Sequence, residues 1–161
     1  MTGLRKRNID ARLQVIPGDL SRPLMGLAPE AFAALAGDVD GIFHLAAELD
    51  MFARYDDIER VNVGATREVL RLAFCAGVPI HCVSSSAVFP LGGQKRWPET
   101  TFGQEAMQPL AADLEASGVD GYSLSKFSAE LLIWSAFERG LPVSVVPRSA
   151  PPRAFRKRDL E

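Results

Sequence analysis

The stretch GIFHLAAELDMFARYDDIERVNVGATREVLRLAFCAGVPIHCVSS, residues 41–85, changes its hydrophobic period twice. Its opening, GIFHLAA (41–47), is an apolar run ending in small side chains, the pattern of a buried strand. From Asp56 to Gly77 the period becomes helical: an apolar side runs through Ile58, Val61, Ala65, Val69 and Leu72 to Ala76. Asp56 and Asp57 suit the amino end of a helix, and Gly77 ends it ahead of Pro79. IHCVSS (80–85) then returns to a strand. A strand, a long helix and a second strand in this order make a parallel crossover unit.

The same alternation extends outward on both sides. RLQVI (12–16) reads as a short strand closed by the turn residues Pro17, Gly18 and Asp19. PEAFAALAG (29–37) has proline at a helix start and glycine at its stop. After residue 85 comes a proline- and glycine-rich loop containing LGGQKRWPET (91–100), with irregular structure to about residue 119. A second long helix is expected over 121–139, and PVSVV (142–146), dense in β-branched residues, is the last strand. The expected fold class is α/β, a Rossmann-like doubly wound parallel sheet with helices on both faces. Ligands of such sheets bind beyond the carboxyl ends of the strands. GDL (18–20), HLAA (44–47) and SSSAV (84–88) fall there.

Composition narrows the function classes. The chain has 161 residues, a formal net charge of −2 and 24% charged residues, so nothing pulls it globally toward nucleic acid. The basic clusters RKR (5–7) and RAFRKRDLE (153–161) read as solvated tails. The expected organisation is one partial domain over residues 1–149 and a basic, proline-rich tail over 150–161. Cys75 and Cys82 lack a CxxC spacing and read as reduced core thiols. His44 and His81 lack metal-ligand spacing, so no metal is expected. No apolar stretch approaches the ~20 residues that span a bilayer, and no secretory signal opens the chain. A cytoplasmic protein without membrane or nucleic-acid partners is the expectation.

DGYSLSKFSAELL (120–132) carries Tyr122 and Lys126, four residues apart and hence on one face of the second long helix. A phenol gives up its proton reluctantly at neutral pH, and an ammonium group one turn away eases that release. Such a couple suits the reduction of a carbonyl, whose oxygen gathers negative charge and must meet an acid; taken alone, the same spacing also reads as a half-buried aromatic and a solvated lysine on an amphipathic helix.

Taken in order, GDL, HLAA, NVGATREVLRLA (62–73), VSSSAVF (83–89) and YSLSK (122–126) with Ala129 and Glu130 after it resemble the extended short-chain dehydrogenase/reductase family. Within it the chain is similar to the thioester reductase domains of carboxylic acid reductases, aminoadipate reductase and nonribosomal peptide synthetases. The resemblance covers residues 12–146. It implies Ser85, Tyr122 and Lys126 as catalytic residues, Ser85 donating a hydrogen bond to the reacting carbonyl. It implies Asp19, Leu20, Ala46, Ala47 and Lys126 at the cofactor: Asp19 at the adenine with Leu20 beside it, the two alanines letting the backbone approach ribose and phosphates. Asn62 matches a family asparagine with an architectural role. The implied cofactor is NADP(H), with NAD(H) as the alternative. The implied substrate is an acyl thioester on a carrier protein, or a small molecule, released as an aldehyde.

No GxxGxxG or GxGxxG occurs in the chain, although that turn normally cradles the pyrophosphate. In a 3-2-1-4-5-6 strand order, two strands are expected to be wanting between RLQVI and GIFHLAA. That would leave a gap of about three inter-strand spacings, roughly 14 Å, and an apolar edge on GIFHLAA. After the last strand the chain reads PRSAPPRAF (147–155) where the family has RPG or RPS, and the family's substrate-binding part is expected to be wanting. The chain is therefore expected to be a fragment, inactive alone, or one half of a complemented or self-associating domain. Two other readings stand beside the reductase: a nucleotide-sugar epimerase or dehydratase of the same family, and a non-catalytic interaction module.

Overall fold

The computed structural model describes residues 13–50, 52–89 and 118–148. Among them helices and strands alternate: α1 (Pro29–Asp38), β1 (Ile42–His44), α2 (Tyr55–Ala76), β2 (Ile80–Ser85), α3 (Gly121–Glu138) and β3 (Val143–Arg148). The strands form one parallel sheet in the order β1–β2–β3. Ile42 lies opposite Ile80, Ile80 opposite Val143, and Ser85 opposite Arg148. This is a Rossmann-like half sheet, in agreement with the expected fold class.

Local chemistry sets the helix ends. Asp56 and Asp57 occupy the first turn of α2, where the helix dipole favours negative charge. Gly77 closes α2 at φ +66°, a left-handed conformation that a side chain would disfavour. Asp120 caps α3: its carboxylate accepts from the Ser123 backbone N–H at 2.8 Å and from the Ser123 hydroxyl at 2.9 Å. At the far end Leu141 folds back, its N–H donating to the Ala136 carbonyl at 3.1 Å, and its side chain is buried.

The core lies between α2, α3 and one face of the sheet. Val69, Leu70 and Ala73 from α2 meet Ile80 and Cys82 from β2 and Ile133 and Ala136 from α3. Each fully buried aliphatic side chain there contributes roughly 1.5–3 kcal/mol. The β2 pattern alternates, with Ile80, Cys82 and Ser84 buried toward the helices and His81, Val83 and Ser85 half-buried on the other side. The expected cover on both faces is met on one face by the described residues. On the opposite face Phe43 is 71% exposed and stacks on His81, ring centroids 4.7 Å apart, and Val146 is exposed.

Three expectations need correction, the first being Cys75, read as a core thiol but exposed on α2 while Cys82 is buried. The strand expected at 12–16 does not form over residues 13–16, and Leu13, Val15 and Ile16 are exposed. A strand exists through its ladder partner, and no described strand neighbours this segment. The GIFHLAA strand is shorter than its apolar run: pairing ends at His44, and Leu45 is exposed beyond it. β1 is the sheet's edge among the described residues, as the strand order implied. The loop 91–100 and the basic clusters lie outside the described residues.

Candidate active site at the carboxyl ends of the strands

Three serines in a row follow β2 outward, and the fold gives each a different surrounding. Ser84 is buried, and its hydroxyl donates to Glu130 Oε2 at 2.5 Å. Ser85 is the last residue of β2. Its Oγ accepts from the Ala87 backbone N–H at 3.2 Å, capping a short 3-10 turn over Ser86–Val88. Accepting there leaves its own O–H to donate. Ser86 is exposed.

Tyr122 and Lys126 lie in the first two turns of α3, both buried, at 9% and 8% exposure. The Lys126 Nζ donates to the Val83 carbonyl at 3.2 Å, which fastens this helix to the strand that ends two residues later at Ser85. Burial pulls the Lys126 pKa below its ordinary value, with Cys82 and Glu130 working against that pull. The amino end of α3 has no clearance. A Cβ on Gly121 would lie no more than 2.7 Å from backbone atoms of Ala53, Arg54 and Tyr55. The residue beside Tyr122 thus rests backbone against backbone on the start of α2. The Tyr55 hydroxyl donates to the Ser128 hydroxyl at 3.3 Å and adds a second tie.

Asn62 joins three elements. Its Oδ1 accepts from the Glu48 backbone N–H at 2.8 Å, and its Nδ2 donates to the Glu48 carbonyl at 3.1 Å and to the Ser125 Oγ at 2.9 Å. The Ser125 hydroxyl in turn donates to the Tyr122 carbonyl at 2.7 Å. One buried amide therefore locks the loop after β1 to α2 and to the first turn of α3. Beside it, the His44 Nε2 lies 3.2 Å from Thr66 Oγ1. Burial, with the Lys126 charge second, pushes the His44 pKa down to about 4, so this ring is neutral at pH 7.

Of the positions expected at the cofactor, Lys126 belongs to this cluster and the other four lie outside it. Ala46 and Ala47 are exposed just past β1, their side chains ending at a methyl group. Asp19 is exposed, its Oδ1 accepting from the Ser21 N–H and hydroxyl, and these bonds hold its carboxyl below the usual range. Leu20 turns the other way, half-buried against the Val69–Ile80 core. The loop carrying them is folded on itself and pinned to α2. The Asp19 N–H donates to the Met25 carbonyl at 2.8 Å, and the Leu24 N–H to Glu68 Oε2 at 2.7 Å.

The motifs assign no role to Glu130 or to the His44–Thr66 contact. Glu130 falls four residues after Lys126 and eight after Tyr122, a spacing that already places it on the same helical face. The His44–Thr66 contact spans 22 positions and becomes visible only when β1 and α2 come together. Among the described residues no group of three or more His, Cys, Asp or Glu could hold a metal. No helix among them is long and apolar enough to cross a membrane.

The profile of the male sterility protein family, an NAD-binding family, matches residues 2–150. Glycine betaine reductase ATRR of Emericella nidulans is 42% identical over 143 residues, which are 89% of this chain and 11% of that protein. The isonitrile lipopeptide synthase of Streptomyces coeruleorubidus is 37% identical over 83% of this chain and 8% of its own length. Among solved structures, the terminal R domain from the myxalamid PKS-NRPS biosynthetic pathway superposes with a TM-score of 0.75 at 33% identity. It covers 88% of this chain, which spans 34% of that one. An NDP-hexosamine 5,6-dehydratase from tunicamycin biosynthesis shares the fold, at 22% identity and a TM-score of 0.55.

Proposed function

The chain belongs to the male sterility protein family, the thioester-reductase type of extended short-chain dehydrogenase/reductase, and from that premise we propose that it carries the acid–base centre of an NADPH-dependent thioester reductase. The substrate is an acyl group held as a thioester on a carrier protein, and the product is the aldehyde. The observation that carries this reading is the Lys126–Val83 hydrogen bond. It brings the Tyr122–Lys126 face of α3 to the end of the strand that terminates in Ser85.

The residues divide the work. Ser85 donates its O–H to the thioester carbonyl oxygen and orients the carbonyl. Tyr122 gives its proton to the same oxygen as negative charge gathers there. The Lys126 ammonium, one turn away, stabilises the phenolate that remains. Bound NADPH supplies the hydride for the carbonyl carbon. Breaking the carbon–sulfur bond of the resulting hemithioacetal, with its hydroxyl proton passing to sulfur, then frees the carrier thiol and the aldehyde. The residues present fit the nicotinamide side of such a cofactor: Ala46 and Ala47 leave the backbone past β1 open to close approach, and Lys126 can reach ribose hydroxyls. Asp19, exposed and anionic, serves the adenine side, with Leu20 beneath it as part of the loop's anchorage to the core. β1 is paired on one side only among the described residues. Its free edge is where the remaining sheet of such a domain docks, from the same polypeptide or a complementing chain.

The test is a titration of NADPH into the purified chain and into the longest natural polypeptide that contains it, followed by reduction of an acyl-pantetheine thioester. Cofactor consumption matched by aldehyde, and abolished by Tyr122→Phe, is the expected result. A longer polypeptide that binds millimolar NADPH undetectably and leaves the thioester intact would overturn the reading.

A further inference from the structure

Beneath the candidate site α3 buries a carboxylate that the reaction above does not use. Glu130 is 6% exposed, one turn beyond Lys126 on the same face. Both of its oxygens are engaged from one side each. The Ser84 hydroxyl donates to Oε2, and the Trp134 indole N–H, a group that can only donate, donates to Oε1 at 3.3 Å. An arrangement with a donor on each oxygen is the one an ionised carboxylate takes. A buried carboxylate and a buried ammonium, each alone, would carry a large desolvation cost, and the two together offset it.

We propose that Glu130 is a positioning residue: anchored on β2 through Ser84 and on α3 through Trp134, it supplies the counter-charge that keeps the Lys126 ammonium charged and seated against the Val83 carbonyl, beside Tyr122. The inference rests on the reading of Tyr122 and Lys126 given above. Among the described residues, the titratable groups facing Lys126 besides Tyr122 are Cys82 from β2, His44 from β1 and Glu130 from its own helix. The α2 groups nearby, Asn62 and Thr66, are neutral. Burial pushes the Cys82 thiol up to about 12, so it carries no charge at neutral pH. His44, pushed down to about 4, carries none either. Glu130 is then the remaining candidate counter-ion. Burial raises its pKa, while the hydrogen bonds from Ser84 and Trp134, and Lys126 itself, act the other way. Ser84, one of three neighbouring serines, gains a purpose different from Ser85: it fixes the base of the couple rather than the substrate.

The experiment needs no cofactor. Lysine labelled with carbon-13 at Cε is followed by NMR against pH in the chain, with Lys126→Arg to assign the resonance. In folded Glu130→Gln, Lys126 is expected to titrate about one pH unit lower or more than in the unsubstituted chain, and Glu130→Asp to restore most of the difference. An unchanged Lys126 titration in folded Glu130→Gln overturns the proposal. Should that variant not fold, the Glu130 carboxyl resonance of the unsubstituted chain decides. It must show a second step at the pH where Lys126 loses its proton, and a single step overturns the proposal. Thioester reduction by the longer polypeptide is a separate arm. Coupled titrations without turnover would sink the functional reading and leave the positioning role of Glu130 standing; turnover with uncoupled titrations would do the reverse.

Discussion

On the helix side of β2, Asn62, Ser84, Ser125, Lys126 and Glu130 are all buried, and each has a polar partner in the fold. Along the rim formed by residues 13–19 and 45–50 the side chains stand in solvent, Val15 at 80% and Leu49 at 75% exposure. A group that must deliver a proton within hydrogen-bond reach needs neighbours that fix its rotamer, and the buried side provides them. A surface that meets a large ligand needs short side chains, and on the rim Gly18, Ala46 and Ala47 are the positions that have them.

Four substitutions or conditions test that contrast. The largest effect is expected from Tyr122→Phe, which keeps the ring and removes the acid. Thioester reduction should fall by about 10²–10⁴-fold, equivalent to roughly 3–5 kcal/mol, with the melting midpoint unmoved. A variant that keeps its rate would assign proton delivery to another group. Gly121→Ala attacks the buried side by overpacking. Because its Cβ meets backbone rather than a movable side chain, a loss of about 3 kcal/mol is expected in urea unfolding. Unchanged stability would mean that the two helix starts are less closely apposed.

The third probe is acid. His44 has its folded pKa depressed to about 4 from 6.5, so between these values the unfolded state binds the extra proton. Its stabilising share is full above pH 6.5 and is lost as pH falls toward 4, on the order of 3 kcal/mol in all. Glu130, raised by burial, acts with the opposite sign above pH 4.5. The informative quantity is therefore the difference in slope between the unsubstituted chain and His44→Asn, read from melting midpoints across that window. Identical slopes would show that His44 is hydrated. The smallest structural effect is expected at the rim: Asp19→Asn should leave the melting midpoint unmoved while weakening NADPH binding. A melting change without a binding change would make Asp19 a loop anchor only.

The contrast also explains what the sequence could tell. The long helices and β2 were legible because each signals itself locally: apolar residues at helical spacing, acidic residues at the start of α2, Gly77 at its stop, and a short apolar run after Pro79 for β2. The segment 12–16 was misread because RLQVI has strand composition, while strand formation depends on a neighbour that five residues cannot announce. Among the site residues, Tyr122 and Lys126 were legible from their four-residue spacing. Ser85 needed the resemblance to choose it from three serines. Glu130 was legible in principle from the same spacing, but a carboxylate on an apolar face declares its role only once Ser84 and Trp134 are seen around it.

The contact at Gly121 has a further consequence. Side-chain contacts loosen gradually as a protein warms, since rotamers exchange while the backbone stays in place. A seat made of backbone on backbone has no rotamers to exchange. The base of the proposed Tyr122–Lys126 couple is therefore set by a mechanical stop, and it should hold its alignment up to the temperature at which α2 and α3 part. In such a molecule, loss of alignment and loss of fold are one event.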